Sequence, residues 1–235
     1  MSLYQTYRPQ TFAQVVGNDE TVEQIQALLA KPDPPHAYLL TGPTGCGKTT
    51  LSRLIASGLG VDPQDFVECD SADFRGIDHV RDIRRNSHYK ALRGTRRAWL
   101  LDECAKLGND AQHALLKGLE DPPAHCYYVL ATTDPDKLLA TIRGRCVTYA
   151  VRLLAEREMV RLLHRVAAAE GEPLPRPLLQ SIAERSGGHA RDALQILEKV
   201  LAATEDQRAQ VVARSEVVRE AAGRLAQELL GNRGW

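Results

Sequence analysis

Several things are missing from this 235-residue chain, and each absence closes off a class of function. No apolar run approaches the roughly 20 residues a membrane-spanning helix needs, so no membrane role is expected. The opening residues, MSLYQTYRPQTF, hold no apolar stretch of signal-peptide type, and a cytoplasmic protein is expected. The five cysteines (Cys46, Cys69, Cys104, Cys126, Cys146) are widely spaced and form no CxxC pair. Neither zinc ligands nor a disulfide framework fits that spacing, whereas buried, reduced thiols do. Repeats and low-complexity segments are absent too.

The formal net charge is zero, yet charge is unevenly spread. Between Arg75 and Arg97 stand eight basic residues, Arg75, Arg81, Arg84, Arg85, Lys90, Arg93, Arg96 and Arg97, opposed only by Asp78 and Asp82. A local excess of this kind lets a neutral protein turn one face to a phosphate backbone; a solvated helix face is the alternative.

What is present is an alternation. Apolar runs at Ala37–Thr41, Asp65–Cys69, Arg97–Leu101, Cys126–Thr132 and Cys146–Val151 read as strands. Helical patterns at Lys48–Leu59, Ile77–Ser87, Asn109–Glu120 and Pro135–Ile142 lie between them, with a further helix at Glu20–Ala30. The fold class expected is α/β: a parallel five-stranded sheet flanked by helices, with ligands at the carboxyl ends of the strands. Beyond Val151 strands give way to helices at Ala155–Glu170, Arg176–Ser186, Ala190–Ala203 and about Arg208–Leu230. The chain is thus divided into an α/β domain (1–151), a small all-helical domain (152–205) and a helical tail (206–235).

The chemistry is concentrated at two places. Gly42-Pro43-Thr44-Gly45-Cys46-Gly47-Lys48-Thr49, with Thr50 next, fits GxxxxGK followed by Ser or Thr, between a strand and a helix. Glycines there let backbone N–H groups face phosphates, Lys48 can reach the β- and γ-phosphates, and the Thr49 hydroxyl can ligate Mg²⁺. In RRAWLLDECAK a buried strand ends in Asp102 and Glu103. Asp102 can hold Mg²⁺ through water while Glu103 polarises the attacking water, although two acids at a strand end also suit a helix N-cap. Trp99 is expected in the core. ATP and Mg²⁺ are therefore the expected cofactors, and zinc is not.

The order YRPQTFAQVVGNDE, GPTGCGKTT, LLDECAKLGNDAQHALLKGLEDPP, YYVLATTDPDKLLATIRGRC and GGHARDALQILEKVL resembles the AAA+ subunits of bacterial DNA polymerase III clamp loaders, the gamma/tau family, over about residues 4 to 203. That resemblance implies a P-loop AAA+ core. It gives Tyr7, Arg8, Val15 and Val16 a place beside the adenine, makes Gly42 to Thr49 Walker A, and makes Asp102 and Glu103 Walker B. It implies that Thr133, more than Thr132, senses the γ-phosphate and that Arg191 is the sensor 2 arginine. Arg145, in Gly144-Arg145-Cys146 where the family has Ser-Arg-Cys, is implied to be an arginine finger acting on a neighbouring subunit's ATP. The helix from Ile77 takes the position facing DNA, with Arg75, Arg81, Arg84 and Arg85 as contacts.

Two departures stand out: there is no room for the family's four-cysteine zinc module, and the third, collar domain is not expected in a chain of this length. A truncated or compact form is implied. The implied function is an ATPase that loads a sliding clamp at primer–template junctions during DNA replication in the bacterial cytoplasm, with other loader subunits or copies of itself as partners. Two rivals remain open: a non-hydrolysing, nucleotide-binding structural subunit, and another DNA-associated AAA+ motor such as a branch-migration ATPase.

Overall fold

The apolar runs become five strands: β1 (Ala37–Thr41), β2 (Phe66–Asp70), β3 (Arg97–Asp102), β4 (Cys126–Thr132) and β5 (Val147–Ala150). All pair in parallel, in the order β2-β3-β4-β1-β5. Central β4 is buried at every position, as a strand covered on both faces must be, which is why its sequence does not alternate. The computed structural model describes residues 2–71 and 76–215.

By their contacts these residues divide into two units: those within 9–152, and residues 2–8 with 153–215. The first holds the sheet with helices α2 (Asp19–Leu29), α3 (Lys48–Gly58), α4 (Ile77–Ser87) and α5 (Asn109–Glu120). Leu39, Leu101, Leu115, Leu130 and Ile142 fill its core, and Trp99 joins them.

Gln112 of α5 corrects one expectation. The helix read over 135–142 is a 3-10 turn (Pro135–Lys137) and a short α6 (Ala140–Arg143), parted by extended Leu138 and Leu139. The buried Gln112 amide donates to Leu107 O and Lys137 O, and its oxygen takes the Leu139 N–H at 2.9 Å. A backbone donor engaged there is lost to a helix ladder.

Two polar clamps fix the unit's connections. Asn18, in the left-handed region (φ 56°), donates its amide to Arg152 O (3.0 Å) and accepts the Arg152 N–H (2.9 Å) at the exit from β5. At the amino ends of the strands, wholly buried Asp65 accepts the N–H groups of Leu92, Arg93 and Gly94. The basic loop before β3 is therefore pinned, not free.

The helical unit is built from α1 (Leu3–Thr6), α7 (Glu156–Ala169), α8 (Arg176–Ser186) and α9 (Ala190–Leu201). Met159, Leu163 and Val166 of α7 recur at helical spacing and are buried with Ile182 of α8 and Leu197 of α9. The sequence reading puts residues 1–8 in the nucleotide-binding domain, whereas here α1, with buried Leu3, packs on α9. Residues 208–215 are helical; the remainder of the helix expected to about Leu230 lies outside the described residues. No described helix is long and apolar enough to cross a membrane.

Candidate nucleotide-binding site

Strand β1 ends at Thr41, and the chain turns at Gly42 with φ 148°. A Cβ on Gly42 would come within 2.0 Å of Val151 O, so no larger residue fits without moving the end of β5. Gly47, with φ 108°, then caps α3 in a conformation L side chains rarely adopt. Together these turns aim the loop's backbone at the helix N-terminus, where N–H groups lack helical partners.

Lys48 opens α3 and is buried, its ammonium donating to Gly42 O (2.8 Å) and Pro43 O (3.0 Å). The cation is thus folded across the loop it belongs to. Next to it, Thr49 Oγ1 donates to Asp102 Oδ2 at 2.7 Å, joining α3 to the end of β3. Asp102 Oδ1 accepts the Glu103 N–H at 2.9 Å. A hydroxyl and a carboxylate oxygen side by side, next to a lysine and a nest of backbone donors, match the hard-oxygen chemistry of Mg²⁺ bound with a triphosphate.

Glu103 leaves the strand with φ 50°. Its Oε2 accepts the Thr133 hydroxyl at 3.3 Å, so the two neighbouring acids serve different partners. Thr132 is wholly buried and its hydroxyl takes the Asp134 N–H (3.0 Å). Lys48, Thr49, Asp102, Glu103 and Thr133 are therefore linked at the carboxyl ends of β1, β3 and β4. Cys46 is buried in the loop; burial pushes its thiol above the ordinary range, with Lys48 pulling the other way. Thr44, Gly45 and Thr50 belong to the same loop and helix start, and Val15 and Val16, half-buried, precede α2 in the same unit.

The other expected residues lie elsewhere. Tyr7, Arg8 and Arg191 are in the helical unit. Tyr7 donates to Glu170 Oε1 (2.5 Å), and that bond, followed by burial, raises its phenol above the ordinary range. Arg8 and Arg191 meet at Tyr4, a residue sequence reasoning missed. Arg145 donates to Glu120 Oε1 (2.6 Å) and to Thr141 O (3.0 Å) at the surface, and Glu120 is a second residue that no motif singled out. On α4, Arg81 pairs with Asp78 (3.1 Å) and Arg85 with Asp82 (3.5 Å), while Arg84 is half-buried. Arg75 lies outside the described residues. Among the described residues no group of three or more His, Cys, Asp or Glu side chains is arranged to hold a metal ion, which is compatible with Mg²⁺ held by one carboxylate and phosphates.

Comparison with known proteins follows the same lines. A family described as DNA polymerase III, delta subunit, matches residues 62–155. The DNA polymerase III subunit gamma/tau of Mycobacterium tuberculosis is 34% identical over 229 residues, covering 88% of this chain and 40% of that protein. Subunit tau of Bacillus subtilis is 31% identical over 226 residues (87% of this chain, 40% of the relative), and that of Escherichia coli 32% over 226 residues (87% and 35%). The chain thus spans about two fifths of the length of these relatives. Among solved structures, the Thermotoga maritima RuvB Holliday junction branch migration motor gives a TM-score of 0.74 at 21% identity, covering 90% of this chain and 72% of that one. A point mutant of the same protein gives 0.77 at 20%, covering 91% and 73%. That is a likeness of fold: an AAA+ α/β core followed by a small helical domain. The family signal comes from the sequence relatives, and over the part it spans this chain's likeness to them supports the gamma/tau family of DNA polymerase III clamp-loader subunits.

Proposed function

We propose that the chain is an ATPase subunit of a clamp loader, binding and hydrolysing ATP to place a sliding clamp on primer–template DNA. One observation carries the reading. Two hydrogen bonds, Thr49 to Asp102 and Thr133 to Glu103, gather the glycine-rich loop, two acids and a threonine at one rim of the sheet, which supports it.

In this account the loop N–H groups and Lys48 bind the phosphates, Lys48 exchanging the carbonyls of Gly42 and Pro43 for phosphate oxygens. Thr49 and Asp102 hold Mg²⁺, which when bound neutralises phosphate charge. Glu103 orients and deprotonates the attacking water, and Thr133 holds the Glu103 carboxylate until the γ-phosphate is present. Val15 and Val16 with Tyr7 and Arg8 border the adenine, and Arg191 answers the charge of the triphosphate. Arg145 acts on a neighbouring subunit's ATP, which ties hydrolysis to assembly. The segment around Arg75, Arg81, Arg84 and Arg85 follows the DNA backbone, reading its position and shape and not its sequence. ATP serves as a switch, because its contacts differ between assembled and released states.

The test is steady-state ATP hydrolysis by the purified chain, with and without primed DNA plus a sliding clamp, and with Arg145→Ala as control. Stimulation by DNA and clamp that disappears in Arg145→Ala is the expected result. A rate near zero with ATP still bound would replace this reading with that of a non-hydrolysing partner in a mixed complex.

A further inference from the structure

The helical unit carries a cationic groove of its own. Arg157, Arg161 and His164 share one face of α7 and line a cavity of about 740 Å³, with Arg176 of α8 also in its wall. The floor is apolar: Leu174 and Leu179 are buried and Val160 is half-buried, whereas the three arginines and His164 are exposed. Glu156 is the one acid among the described residues of the lining. Two other acids of the unit are engaged elsewhere, Glu158 with the Ala155 N–H and Glu172 with Arg208. Among the described residues, Arg157, Arg161 and Arg176 have no hydrogen-bond or ion-pair partner. On α4, by contrast, Arg81 and Arg85 are paired with acids of their own helix. Arg176 also opens α8, an 11-residue helix with no acid in its first turn, whose amino end adds positive potential.

We propose that this groove is a second DNA-contacting surface, which grips the phosphodiester backbone through Arg157, Arg161 and Arg176. The proposal rests on the reading above that the chain works on DNA, and not on which residues of α4 touch it. No aromatic side chain lines the groove, so it offers bases no stacking platform. A guanidinium fork matches phosphate oxygens, and the apolar floor gives the arginine stems a surface to lie on. The exposure of these cations favours DNA over an acidic protein segment. An exposed ion pair with a carboxylate adds little net affinity, because the attraction is screened and two side chains lose freedom. Each phosphate neutralised on DNA frees condensed counterions as well, so exposed arginines gain most from that ligand.

Equilibrium binding of the full chain to a labelled primer–template DNA, from about 50 to about 200 mM salt, tests this. Arg157→Ala/Arg161→Ala/Arg176→Ala should weaken binding about tenfold or more at the low-salt end. It should also make the slope of log affinity against log salt shallower by about 2 to 3, the share of three phosphate contacts. Arg157→Lys/Arg161→Lys/Arg176→Lys keeps the charge and should stay within about threefold of the wild type, with the same slope. A loss in the lysine variant equal to that of the alanine variant would mean that the arginines serve the shape of the helical unit, and would overturn the proposal. Arg81→Ala/Arg85→Ala on α4 separates the two surfaces. If that variant binds weakly while the groove's alanine variant keeps the wild-type affinity and slope, the groove serves another ligand, an acidic protein segment first. The proposal is then overturned and the DNA reading stands. A wild type that binds no DNA at low salt would overturn both together.

Discussion

Two aspartates mark opposite ends of one sheet, and their surroundings could hardly differ more. Asp65, just before β2, is wholly buried and takes three backbone N–H groups, with Arg97 4.0 Å away. Burial alone would push its carboxyl up, but the Gly94, Leu92 and Arg93 donors and the Arg97 charge outweigh that and hold it below the ordinary range. Asp102, at the end of β3, receives one hydroxyl and one N–H and is only half-buried. The first acid is saturated by its own chain, so it stabilises a loop and has no capacity left for a ligand. The second keeps capacity, and beside the glycine-rich loop that capacity is what the proposed metal–nucleotide complex would use. Burial of an acid does not identify function; the acceptor capacity left unfilled does.

The largest break in this comparison should come at the unsaturated end. Glu103→Gln keeps the size of the side chain and removes the base, so hydrolysis should fall about 100-fold or more, with ATP affinity nearly unchanged. Single-turnover hydrolysis beside equilibrium ATP binding would check this, and a parallel loss of binding would mean that Glu103 serves the loop's shape.

At the saturated end the effect should be on stability and not on chemistry. Asp65→Ala removes a wholly buried acceptor from three N–H groups and should cost about 3 kcal/mol, or about 8 °C in Tm, with ATP affinity retained. The sign of the pH dependence follows from a folded-state pKa below the unfolded one. The wild type's advantage is present above about pH 4 and fades as pH falls through the folded value. Urea midpoints of both proteins between about pH 7 and pH 3 should therefore converge on acidification. An advantage that grew on acidification would contradict a depressed carboxyl.

The smallest effect belongs to the loop thiol. Cys46 is buried and its pKa is raised, so it is a weak nucleophile at neutral pH. Cys46→Ala removes no charge and should leave ATP affinity within about twofold of the wild type. A larger loss would give the thiol a part in shaping the cradle.

Local signals were the legible ones. β1 and β4 run over the residues that their apolar runs indicated, and α4, α5 and α8 match their periodic stretches. Lys48, Thr49, Asp102 and Glu103 stand out because loop, helix start and strand end are each encoded by adjacent residues. What could not be read depends on partners distant in the chain. The break between Pro135 and Arg143 is dictated by Gln112, 27 residues before Leu139. Tyr4 meets Arg191 across 187 positions, and no spacing in MSLYQTYRP announces that contact. Asp65 likewise looks like any strand-start acid until the loop that it binds, 27 to 29 residues on, has folded back.

The left-handed backbone at Glu103 has a consequence for how this sequence can drift. In an extended strand, neighbouring residues face opposite sides; the turn at φ 50° breaks that alternation at Glu103, whose carboxylate engages Thr133 while that of Asp102 engages Thr49. A glutamate is a poor occupant of that region, at a cost of about 1 kcal/mol that asparagine would reduce. A random search for thermostable variants should therefore return changes at position 103 repeatedly, each more robust and each inert. Selection for endurance and selection for turnover pull this one residue in opposite directions.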